Sequence, residues 1–191
     1  MAQAGEKDVP QRRPTLALFR HRVFRALWIA TLVSNLGGLI QGVGAGWLMA
    51  TISPSQDMVA LVQASTTLPV MIFSLASGAL ADNFDRRRIM LAAQLFMLAV
   101  SLILAFAAFA GLITPWLLLC FTFLIGCGTA LHNPSWQASV GDIVPREDVP
   151  AAISLNSMSF NLMRSIGPAF GGAIVAAAGA AVAFAFNAVS Y

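Results

Sequence analysis

Between Gly78 and Arg88 the chain reads Gly-Ala-Leu-Ala-Asp-Asn-Phe-Asp-Arg-Arg-Arg, acids first and bases after. Carboxylates and guanidiniums at this spacing can close and reopen ion pairs, which is the chemistry of a mechanical latch. Asp82 falls at a helix boundary, where its charge can meet the partly positive N-terminal end of another helix. Arg86 and Arg87 can pair with Asp82, with Asp85, or with Asp142 farther along the chain. Gly78 allows a close helix crossing beside them. A plain solvated loop accounts for the arginines, but not for Gly and Asp at the helix ends.

A second set of polar residues lies inside apolar runs. Arg164 is the clearest, since a charge within a membrane-length segment costs several kcal/mol even on the lower scales, ~3 kcal/mol. Ser157, Asn161, Arg164 and Pro168 recur at helical spacing and share one face. That face is expected to look toward a water-accessible cavity or a neighbouring helix. A structural tether to backbone carbonyls is the competing role for Arg164. Asn35, Gln41, His132, Asn133 and Gln137 are further candidates for a polar lining or for hydrogen bonds between helices. His132 could carry a proton, although a lone histidine in a helix more often packs or hydrogen-bonds.

The elements that must hold these groups follow from composition. Of 191 residues, 58% are hydrophobic and 10% charged, and the mean hydropathy is +0.78. A soluble domain carries about 25% charged residues, so this chain has too little polar surface for water. Apolar runs of about 20 residues match the hydrocarbon core of a bilayer. Five are expected to span it, at 26–50, 58–81, 89–111, 115–140 and 151–178, with a sixth over 180–191 cut short. The runs are too long for barrel strands and lack strict alternation, so the fold is all-α and integral to a membrane.

Lys7, Arg12, Arg13, Arg20, Arg22 and Arg25 precede the first span, Arg86–Arg88 lie between the second and third, and Arg146 between the fourth and fifth. The other connections contain no Lys or Arg. Basic residues favour the cytoplasmic side. The N-terminus and the connections 2–3 and 4–5 are therefore expected to face the cytoplasm, with residues 1–25 as a basic tail and interfacial segment. The net charge of +3 thus reports orientation, and no nucleic-acid partner is expected. Cys120 and Cys127 read as small buried hydrophobes.

Small residues mark close helix approaches. Gly38, Gly42 and Gly46 form a doubled small-xxx-small stripe, and Gly167 and Gly171 repeat the spacing beside Pro168 and Gly172. These two stripes predict that the first and fifth spans pack face to face.

The segment around Gly78, Leu80, Asp82, Arg86 and Arg87 resembles the loop 2–3 signature of the major facilitator superfamily, with Asn83 and Asp85 departing from it. Gly167-Pro168-Ala169-Phe170-Gly171-Gly172 resembles the fifth-span signature of its drug:proton antiporters, with Met163 where an upstream glycine is usual. Asn35-Leu36-Gly37, Trp47-Leu48-Met49, Asn133-Pro134-Ser135-Trp136-Gln137 and the stretch Asn156 to Gly172 are together similar to the transmembrane secretion effector branch. The similarity runs from about Phe24 to the last residue.

The resemblance implies the N-terminal six-helix bundle of a major facilitator fold, with the sixth helix incomplete, built from two inverted three-helix repeats. It implies a multi-pass protein of the bacterial cytoplasmic (inner) membrane, working with a missing C-terminal six-helix half. The function implied is secondary active export of a small organic compound by alternating access, coupled to protons. Asp82 and Arg86 would latch the cytoplasmic side, and the fifth-span Gly-Pro cluster would bear on transport direction. Residues 115–140 lack the arginine that many drug:proton antiporters carry there, so coupling rests on the family alone. The alternative is a non-transporting half-size scaffold or a dimeric half-transporter. No enzyme activity and no cofactor are expected. The chain contains no P-loop, and no further acids follow Asp85 before Asp142 to complete a metal site with Asp82.

Overall fold

The computed structural model describes residues 15–20 and 22–191, leaving aside the side chains of 15–17, 74–76 and 78–83. The described residues form a short 3-10 turn, η1 (Thr15–Arg20), and six α-helices. These are α1 (Arg22–Ile52), α2 (Gln56–Asn83), α3 (Arg86–Phe109), α4 (Pro115–Ile143), α5 (Val149–Ala178) and α6 (Ala180–Ser190). Among the described residues, three of them, α1, α3 and α4, are long and apolar enough to cross a membrane. Helices α2 and α5, of 28 and 30 residues, have the length as well.

Local chemistry sets the helix ends. Asp85 caps α3 by accepting from the Arg87 amide at 2.9 Å, and Thr114 caps α4 by accepting from the Leu117 amide at 3.3 Å. Pro115 follows at a position where a missing amide costs nothing. Gly111 (φ 69) and Gly179 (φ 83) turn the chain after α3 and α5, in a backbone region that disfavours other residues.

Packing follows a regular scheme. Helix α1 lies against α5 and α6, α4 lies against α2 and α3, and α3 meets α6. Exchanging α1 with α4, α2 with α5 and α3 with α6 maps this scheme onto itself, as two related three-helix repeats would. Bulky apolar residues are left on the outside as well as inside. Along α3, Leu95 and Phe106 are exposed while Met97 and Leu104 are buried. An exterior this apolar suits lipid, where packing and hydrogen bonds hold helices together.

Two buried clusters close the ends of the bundle. One joins the end of α1 to the start of α4 and to α6 through Met49, Leu104, Leu118 and Phe184. The other joins the start of α1 to the end of α4 and the start of α5 through Phe24, Trp136, Val140 and Ala152. Leu18 of η1 is buried in this second cluster, and Phe19 meets Trp28 edge-on at 5.1 Å. The segment expected at the interface is therefore anchored by side chains in the bundle.

The glycine stripes need a correction. Helices α1 and α5 do pack together, but not stripe to stripe. Gly167 and Gly171 of α5 receive Leu39 and Val43 of α1, at 2.9 and 3.0 Å from where a Cβ would lie. A Cβ on Gly38, Gly42, Gly46 or Gly172 would meet nothing within 4 Å. The close approach on α1 uses Gly37 and Gly44, which face α6. A Cβ on Gly44 would lie 3.0 Å from Ala183, and one on Gly37 would strike Ser190. Gly37 and Gly38 are adjacent in sequence but about 100° apart around the helix, and spacing alone does not say which side is covered.

Candidate functional site

The middle of the bundle opens into a cleft of about 760 Å³ between α1, α4 and α5, within the size range of small-molecule sites. Helix α1 contributes Thr31, Ser34, Asn35 and Gly38, and α4 contributes Thr129, His132, Asn133, Trp136 and Gln137. Helix α5 adds Asn156, Ser157, Phe160 and Asn161, and Tyr191 closes one side after α6. On each helix these residues recur at three- and four-residue steps, so each presents one continuous polar stripe.

Several of these groups are already oriented. Thr31 and Thr129 donate their hydroxyl protons to the carbonyls of Leu27 (2.8 Å) and Ile125 (3.0 Å). Their oxygens stay available as acceptors. Asn161 donates to the Ser157 carbonyl at 2.9 Å. His132 is steadied from α3, where the Gln94 amide nitrogen lies 3.3 Å from its Nε2. The arrangement can bind a molecule by hydrogen bonds and aromatic contact.

The sequence-derived candidates thus separate. Asn35, His132 and Asn161 line the cleft together. Gln41 does not. It is 4% exposed and accepts from Ser101 at 3.3 Å and from Asn187, tying α1 to α3 and α6. Arg164 is exposed on α5 one turn beyond Phe160 and Asn161, outside the described lining. Thr31, Ser34, Thr129 and Asn156 are lining residues that the reading by residue type passed over. The stripe of positions 31, 34, 35 and 38 was the signal that could have found them.

The charged hairpin lies at one end of the bundle. Arg86 donates to Asp142 of α4 at 2.8 Å and to the Ala138 carbonyl at 3.2 Å. Arg88 pairs with Asp85 at 3.8 Å. Arg87 contributes its backbone amide to the Asp85 cap. The side chains of Gly78 and Asp82 lie outside the described residues, so their placing in the latch is an expectation from sequence. The Arg86 and Asp142 side chains are 35% and 69% exposed. Asp142→Asn is therefore expected to cost less than about 1 kcal/mol of stability. Thermal unfolding of the purified protein checks this, and a loss several times larger would mean that the pair is a structural strut.

These features have counterparts among known proteins. The model of the transmembrane secretion effector family matches residues 13–191. The chain belongs to this family. Its relatives include the Staphyloferrin A transporter of Staphylococcus aureus, 27% identical over 82% of this chain and 40% of that protein. Macrolide efflux protein A of Streptococcus pyogenes is 27% identical over 72% of this chain and 35% of its own length. The multidrug efflux pump Tap of Mycobacterium bovis is 26% identical over 78% and 37%. The chain thus spans well under half the length of these relatives, which are major facilitator transporters of efflux and secretion type. No solved structure matches it significantly. Family membership and the apolar helices make this a multi-pass membrane protein.

Proposed function

We propose that this chain forms one half of a secondary exporter, and that the cleft between α1, α4 and α5 is its share of the path for a small organic compound. The cleft carries the proposal, because polar side chains on three facing helix stripes are costly in a bilayer unless they meet water or a ligand. A second six-helix half would close the open side, where Gly38, Gly42 and Gly46 find no neighbour among the described residues. Rocking of the two halves would expose the cleft to each side in turn. The relatives named for efflux favour outward movement.

The bases favour a cytoplasmic N-terminus. The start of α1, the α2–α3 connection and the end of α4 gather at one end of the bundle. That end holds every described Lys and Arg except Arg164. In this orientation the Arg86–Asp142 pair sits at the cytoplasmic rim, where Asp82 and Arg86 could hold the inward side shut. Proton drive is part of the proposal, with His132 as the one titratable imidazole in the lining.

The test is accumulation in cells expressing the complete reading frame, against a panel of cationic, neutral and carboxylate compounds that includes a macrolide. At least one compound is expected to accumulate less than in control cells. Asn35→Leu and Asn161→Leu are expected to reduce that difference tenfold or more while leaving protein yield unchanged. Unaltered efflux by both variants would remove the cleft from the transport path.

A further inference from the structure

Every Lys and Arg but one lies at or before Arg25, in the triplet 86–88, or at Arg146. The exception, Arg164, stands midway between the ends of α5 at Val149 and Ala178. That is about 20 Å from either end at 1.5 Å per residue, too far for its guanidinium to reach a lipid head group. It is exposed and makes no ion pair or hydrogen bond among the described residues. It follows Ser157, Phe160 and Asn161 by seven, four and three positions, so it stands on the face of α5 that lines the cleft.

The cleft wall supplies an aromatic surface. Trp136 is 5% exposed and forms part of the cleft wall, and its indole Nε1 has no hydrogen-bond partner. That nitrogen is itself covered, so Trp136 offers the cleft an aromatic face, and Arg164 remains the donor that needs an acceptor. The described lining contains no Asp or Glu that could serve. The amides of Asn35, Asn133, Asn156 and Asn161 supply neutral hydrogen-bonding capacity around it.

We propose that the cleft selects organic anions, with Arg164, at its edge one turn beyond Asn161, binding a carboxylate of the ligand and Trp136 supplying an aromatic surface. This rests on the cleft being the substrate path. A planar guanidinium takes a carboxylate through two parallel hydrogen bonds. Pairing it with a carboxylate also offsets the cost of an unpaired cation midway along a membrane helix. A cationic compound would leave Arg164 unpaired and add a like charge beside it.

The complete protein in proteoliposomes gives the test, with calcein as the carboxylate-rich probe and ethidium as the cationic one. Calcein is expected to move and ethidium to stay. Arg164→Gln should lower the calcein rate at least tenfold, Arg164→Lys should retain a larger share, and Trp136→Leu, which removes the aromatic surface, should cost several-fold. A binding measurement separates ligand contact from a tether to another part of the protein. Citrate is expected to raise the melting temperature of the detergent-solubilised parent protein but not that of Arg164→Gln. Parent-like calcein transport by Arg164→Gln, or a citrate shift that survives in it, overturns the assignment. Transport of ethidium without calcein also overturns it and leaves the export proposal standing. Movement of neither dye, nor of any compound in the wider panel, counts against both.

Discussion

Gly126→Leu is expected to abolish the folded protein, measured as loss of a monodisperse, cooperatively melting species after extraction in detergent. Even the first carbon of a side chain there would lie 2.6 Å from the Thr66 carbonyl oxygen and 3.0 Å from Pro69 Cγ of α2. The nearer obstacle is backbone, so no rotamer change relieves it. Helices α2 and α4 also share a hydrogen bond between Ser65 and Thr122 at 2.6 Å, which separation of the helices would break. Overpacking costs about 1–3 kcal/mol when side chains can adjust, and the cost here should exceed that range. Gly126→Ala should already lower the melting temperature. Gly42→Ala, where a Cβ meets nothing within 4 Å, should be neutral or slightly stabilising through helix propensity. If Gly126→Leu melts like the parent, the α2–α4 approach has been placed wrongly.

The same contrast shows what a sequence discloses about such a bundle. Helix existence was legible, because long apolar runs between charged or Gly-containing connections leave a bilayer protein few options. Asp142 was one of three partners legible for Arg86, beside Asp82 and Asp85, because it had to lie at the same end of its helix. Which side of a helix is covered was not. Gly38, Gly42 and Gly46 carry the better-looking motif, yet Gly37 and Gly44 make the approach to α6. Residue type alone also grouped Gln41 with the cleft candidates. It points instead into the packed interface, because the partners that satisfy it stand on α3 and α6, far away in sequence.

That interface yields the other large effect. Asn187 is fully buried. Its amide nitrogen donates to the Gln41 oxygen and lies 3.5 Å from the Ser101 hydroxyl and 3.2 Å from the Tyr191 hydroxyl. An amide nitrogen has only two protons, so these acceptors share them. Asn187→Leu keeps the branched shape but withdraws the donor, leaving Gln41 with Ser101 as its one described partner in a site closed to water. The expected loss is about 1–3 kcal/mol, the cost of an unsatisfied buried group, rather than the smaller ~0.6 kcal/mol typical of hydrogen bonds between membrane helices. Gln41→Leu should cost a similar amount for the reciprocal reason. The double variant should cost clearly less than the two losses added, because it buries no orphaned amide on either helix. Equilibrium unfolding of the four proteins measures this coupling. Strict additivity would mean that Gln41 and Asn187 contribute separately, and that α6 is held against α1 by packing at Gly37 and Gly44 without help from the amide pair.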